Sequence, residues 1–127
     1  MNNPAGSSRR DLARRYKEAP PPMGVYAIRN RITGHLLLGA SSNPAGALNR
    51  HRFELQLRGH RDRRLLADWQ RHGPDGFAFE ILDTVKPRDD DPGFDARREL
   101  DELFGLWCEE LRYETDAGYQ AARRGPP

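Results

Sequence analysis

Cysteine is almost absent: Cys108 stands alone, so the chain forms no intramolecular disulfide, and one thiol cannot build a zinc site. It reads as a small core residue. Lysine is nearly missing too, since all but two of the 21 basic residues are arginine. No apolar run approaches the roughly 20 residues of a membrane span, and the start, MNNPAGSSRRDLARRYKEAPPPM, has no apolar stretch of the kind a secretory signal needs. A cytoplasmic protein with no membrane partner is expected. No internal repeat is visible, and 127 residues leave room for one domain with a modest core.

The net charge of +2 is small, but it is unevenly spread. Through Asp83 there are 14 Lys or Arg against 8 Asp or Glu, giving +6, whereas residues 84–127 hold 7 against 11, giving −4. Arginine's planar fork suits bidentate phosphate contacts, although a GC-rich genome gives the same bias. The strongest patch is RHRFELQLRGHRDRRLL over residues 50–66. Seven arginines fall between Arg50 and Arg71 against three acids. Such a surface favours salt-sensitive phosphate contact that does not read bases, and it is also what a solvated helix pair looks like.

Punctuation divides the chain. Residues 1–22 form a polar leader in which Leu12, Ala13 and Tyr16 share one face of a short helix, stopped by Pro20, Pro21 and Pro22. GVYAIRN and GHLLLGAS read as two strands around a polar, Gly-ended turn, and they should pair antiparallel. Helical periodicity follows over about 44–57, placing Ala47, Leu48, His51 and Leu55 near one face, with Gly59 as the stop. A second helix over roughly 62–72 carries Leu65, Leu66 and Trp69, and Phe77 to Leu82 is a third strand. Residues 84–94 read as a solvated loop whose Asp89-Asp90-Asp91 lacks the alternating ligands and turn glycine of a coordinating loop. From Asp95 to about Arg112, Leu100, Leu103, Phe104, Trp107, Cys108 and Leu111 form the apolar stripe of a long helix. The tail, 121–127, should fray. The expected class is α+β, a small antiparallel three-stranded sheet flanked by helices.

In that order, Gly24-Val25-Tyr26, a ten-residue spacer and Leu37-Leu38-Gly39-Ala40-Ser41 resemble the paired motifs of the GIY-YIG nuclease superfamily. His51 falls twelve residues after Gly39, His60 follows nine later, and Gly73 and Phe77 occupy a similar HG-x-x-x-F stretch. Trp107-Cys108-Glu109-Glu110-Leu111 looks like the closing helix and Gly118-Tyr119-Gln120 like the terminal GYN. The likeness runs over residues 23–120. It implies a GIY-YIG-like domain whose site would use two tyrosines, an arginine, a histidine and a metal-holding glutamate to hydrolyse phosphodiesters.

Matched residue by residue, Tyr26 and His51 survive, whereas the second tyrosine is Leu37, the arginine Ala47, the glutamate Phe104 and the asparagine Gln120. None of the first three replacements supplies a phenol, cation or carboxylate. No cofactor is therefore expected. Arg50 and Asp101 lie one helical turn from the missing arginine and glutamate, so an alternative site built on Tyr26, His51, Arg50 and an acid near Asp101, with magnesium or manganese, stays open. Tyr26 could equally be a core aromatic and His51 a neutral, hydrogen-bonded core histidine. The histidines His35, His51, His60 and His72 show no paired spacing on one helix face, so no histidine metal cluster is expected. Two readings result. One is a catalytically impaired module holding nucleic acid, DNA in the first instance, or a protein partner through Arg52, Arg58, His60, Arg61, Arg63 and Arg64. The other is an active, divergent endonuclease.

Overall fold

A computed structural model describes residues 22–86, 88, 90–113, 118 and 119. Apart from Pro22, the expected leader lies outside the described residues, as do Gln120 and the tail. The elements are β1 (Gly24–Asn30), β2 (Leu36–Ser41), α1 (Pro44–Gln56), α2 (Arg63–His72), a 3-10 turn (Pro74–Gly76), β3 (Phe77–Thr84) and α3 (Ala96–Glu110). The sheet is antiparallel with order β2-β1-β3, so β1 is central. This is the expected α+β architecture. Among the described residues no helix is long and apolar enough to cross a membrane.

Alternation along the strands divides the interior into two layers, because successive side chains leave opposite faces of a sheet. Tyr26, Ile28 and Leu37 point to one side, where Ala47, Leu48 and Leu55 of α1, Leu65 and Trp69 of α2, and Phe77 close over them. Val25, Ala27, Leu36 and Leu38 point to the other, against Leu100, Phe104 and Cys108 of α3, with Val85 and Tyr113. Ile28, Leu55 and Leu65 are sealed from solvent, and full burial of such a side chain contributes about 1.5–3 kcal/mol. Tyr26 sits opposite Gly39 and Ile28 opposite Leu37, so Tyr26 and Leu37 are diagonal neighbours on adjacent strands and share a face.

The helices start where their caps allow. Asn43 accepts from the Gly46 amide with Pro44 in the first turn, Asp62 accepts from Arg64 and Leu65, and Asp95 accepts from Arg97 and Arg98. α1 ends in a Schellman arrangement: the Gly59 amide donates to the Glu54 carbonyl and the Arg58 amide to that of Leu55. The left-handed residue of that motif is Arg58, φ 62°, and the glycine anticipated as the stop comes one position later. Asn30 closes the hairpin. Its Oδ1 accepts from the Ile32 and Thr33 amides, while its Nδ2 donates to the Tyr119 hydroxyl.

Candidate functional site

The chemistry-bearing groups collect where α1 leaves the sheet. Central strand β1 fixes Tyr26, and its ring lies so close over Gly39 that a Cβ there would collide with Cζ and Oη. α1 turns His51 inward, as its periodicity predicts, and its Nε2 lies 2.9 Å from the Tyr26 hydroxyl. The Schellman turn brings the chain back so that His60 Nε2 is 2.8 Å from His51 Nδ1. His60 Nδ1 accepts the Asp62 backbone N–H at 3.0 Å. All four residues are buried.

This last contact decides where every proton in the row sits. A backbone amide only donates, so His60 Nδ1 holds a lone pair and, in the neutral ring, its proton is on Nε2. That proton is donated to His51 Nδ1, which leaves the His51 proton on Nε2. His51 then donates to the Tyr26 oxygen, and the phenol proton is turned away from the histidine. Neutral rings are what the surroundings favour: burial first, then His60, Arg50 and Arg61, hold His51 down to about 4. Burial likewise lowers His60 against the opposing pull of Glu54 and Asp62. Burial raises the Tyr26 phenol above its ordinary value, with Arg50 and Arg61 pulling the other way. Tyr26 is thus a donor that His51 cannot deprotonate.

Helix-face spacing gave no sign of a histidine metal cluster, yet the fold brings two of the four histidines together. His51, Glu54 and His60 each bring one ligand atom within 4.8 Å of the others. Helix-face spacing missed this because the two histidines meet through the chain reversal at Arg58 and Gly59. The trio fits a hydrogen-bonded row better than a metal centre: the facing ring nitrogens share one proton, and a cation would have to expel it.

The substituted positions are now placed. Leu37 and Ala47 are buried in the Tyr26 layer, so apolar core fills the space where the resemblance puts a phenol and a guanidinium. Phe104 lies in the opposite layer, against α3's side of the sheet, and Asp101 is exposed on that same helix. Neither provides an oxygen ligand beside Tyr26. At the position where the resemblance puts the metal-holding carboxylate stands a phenyl ring, which supplies no ligand.

The expected arginine surface separates into two groups. Arg58, Arg61 and Arg63, with Gly59, His60 and Leu66, line an open pocket of about 440 Å³, and Arg50 is exposed one residue before His51. Arg52 instead stacks on the Phe79 ring, 4.3 Å from its centroid, and Arg64 donates to the Tyr119 carbonyl at 3.3 Å. Sequence reasoning missed the support on the far side of this layer. Tyr119 donates to Asp68 Oδ2 at 3.0 Å and accepts from Asn30, which is fully buried. Burial pushes the Tyr119 phenol up to about 12, so it remains a donor.

An α+β domain with this strand order, and with Tyr26 opposite Gly39 on the paired strands, has the GIY-YIG fold. Similar solved structures carry the same architecture. The catalytic domain of homing endonuclease I-TevI matches at a TM-score of 0.61 and 24% identity, over 80% of this chain and 99% of that one. A mutant catalytic domain of intron endonuclease I-TevI matches at 0.62 and 21%, over 83% and 100%. At such identity the likeness establishes the fold. No protein-family model and no curated protein matches the chain.

Proposed function

We propose that this domain holds nucleic acid, duplex DNA in the first instance, by its phosphates and does not hydrolyse it. The observation that carries the reading is Arg58. It occupies a left-handed conformation that glycine adopts freely and arginine adopts at a cost of about 1 kcal/mol or more, and that conformation places it among the residues lining the pocket with Arg61 and Arg63. A strained arginine beside two others suits an anion. Arg50, exposed one residue before His51, adds a further cation. The I-TevI domains with the same fold are described as endonuclease catalytic domains, which makes a phosphodiester backbone the natural anion.

Hydrolysis needs more than this. A metal-dependent cut requires a cation on the scissile phosphate and a base for the attacking water. Here the carboxylate position is Phe104 in the other layer, the arginine position is buried Ala47, and His51 has no free lone pair to take the Tyr26 proton. The displaced alternative through Asp101 is disfavoured because that acid is on a helix packed against the opposite face.

The test is a titration of fluorescent duplexes of several sequences across a salt series, with the unmodified chain and with Arg61→Gln/Arg63→Gln together. Weakened binding by a similar factor on every sequence, with a shallower salt slope, supports the reading. No affinity for any duplex at low salt removes it.

A further inference from the structure

α3 shows solvent a face that packs on nothing else in the described fold, its Glu102 ion-paired with Arg98 of the same helix at 3.9 Å. Between residues 99 and 111 the chain has five acids and no Lys or Arg. Glu99, Glu102, Glu109 and Glu110 are all exposed, and in their midst Leu106 is 63% exposed. At 100° per residue these five positions fall on one stripe, opposite the Leu100, Phe104 and Cys108 stripe that packs on the sheet. An exposed leucine ringed by carboxylates is the pattern of a docking surface: an apolar contact with a charged rim.

α1 carries the complement. Phe53 is 59% and Leu57 64% exposed, one turn apart on the solvent side of the helix, between exposed Arg50 and Arg52. Arg58 and Arg61 continue the positive charge past the end of α1. The two surfaces are opposite in charge, and at their centres lie Leu106 on α3 and Phe53 with Leu57 on α1. They also lie on helices packed against opposite faces of the sheet.

We propose that a second copy of this chain docks its acidic α3 stripe, with Leu106 at the centre, onto the Phe53–Leu57 surface of the first, so that the protein assembles head to tail. The two surfaces of one copy face opposite ways, so docking satisfies one and leaves the other open. Such a contact is heterologous and adds copies without closing into a symmetric dimer. It does not require the nucleic-acid reading, and it is tested without nucleic acid.

Sedimentation velocity of the purified full chain over a concentration series tests it. At low salt the weight-average mass should rise continuously with concentration, and raising salt to about 0.5 M should weaken association by about tenfold or more. Glu102→Lys/Glu109→Lys on α3 and Arg50→Glu/Gln56→Glu on α1, where Gln56 is exposed beside Leu57, should each give monomers. Mixing the two variants should restore association, since each then meets an opposite charge on the other. Circular dichroism melts of the four-residue set accompany the assay, and unchanged melts confirm that both variants fold. A chain that stays monomeric at every concentration in low salt overturns the proposal, as does assembly that both reversals leave intact or a mixture that stays monomeric. A monomer that binds an arginine-rich peptide through α3 overturns it in favour of a basic protein partner.

Discussion

The backbone amide of Asp62 donates to Nδ1 of His60, and this single contact orders the protons of two histidines and a tyrosine. Both rings are neutral in the folded protein, whereas an unfolded chain charges them near 6.5. The folded His51 value is depressed to about 4, so as pH falls below 6.5 the unfolded state takes up protons first. Stability should be full above that value and should decline toward pH 4, by about 3 kcal/mol at most from His51. Urea melts across this range check the sign. Long-range proton–nitrogen spectra should show both histidines protonated on Nε2 in the neutral range, and an Nδ1-protonated His51 would refute the row.

Arg58 lends itself to separation of stability from function. Arg58→Gly removes a side chain from a left-handed position and should stabilise the fold by about 0.5–1 kcal/mol. The same change takes a cation from the pocket and should weaken duplex binding and reduce its salt slope by about one. Melts and binding isotherms on the one variant read both effects. Tighter binding would show that the pocket does not meet phosphate.

Gly39 sets the pose of the phenol. A methyl group there meets Cζ and Oη of Tyr26, so Gly39→Ala should push the ring off its place and break the contact with His51. Overpacking of this kind costs about 1–3 kcal/mol. The His51 side-chain resonances should shift with it. Unchanged stability together with an unchanged His51 spectrum would mean that the ring keeps its place and the backbone at Gly39 gives way instead.

Metal chemistry should be absent from the unmodified chain. Magnesium or manganese should neither raise its melting temperature nor elicit nicking of supercoiled DNA. Phe104→Glu should not restore a site, because it would bury a carboxylate among Val25, Leu38 and Leu100, at a cost of several kcal/mol, roughly 3 or more. Parallel melts and nicking assays decide this. Robust metal-dependent cleavage that Asp101→Asn abolishes would establish the displaced site instead.

Much of the fold was legible because its signals are local. Proline and glycine punctuation placed both strands of the hairpin to within two residues, and the Leu100, Phe104, Cys108 period placed α3 against the sheet. β3 runs two residues past its expected end because a bulge opposite Val25 and Tyr26 lets Thr84 still pair with Gly24. Tyr26 and His51 were readable from periodicity and from the motif they belong to. The row beyond them was not. His51 and His60 belong to no common helix face, and only the backbone reversal at Arg58 brings them into contact. Asp62 before a helical run does announce a cap, but nothing in a cap motif says that its amide will face a ring nitrogen. Tyr119 is 89 residues from Asn30 and 51 from Asp68, so their network becomes visible only once the chain is folded.

Asp62 performs two tasks with two different atoms. Its carboxylate oxygen begins α2, and its amide proton sets the histidine row. Fraying of the first turn of α2 therefore frees the rings to exchange tautomers in the same event, and an opening too small to expose the core is enough to scramble the proton order. Hydrogen exchange at this one amide then keeps time for the whole row: how long Tyr26 keeps its orientation of charge is how long Asp62 keeps its deuterium out.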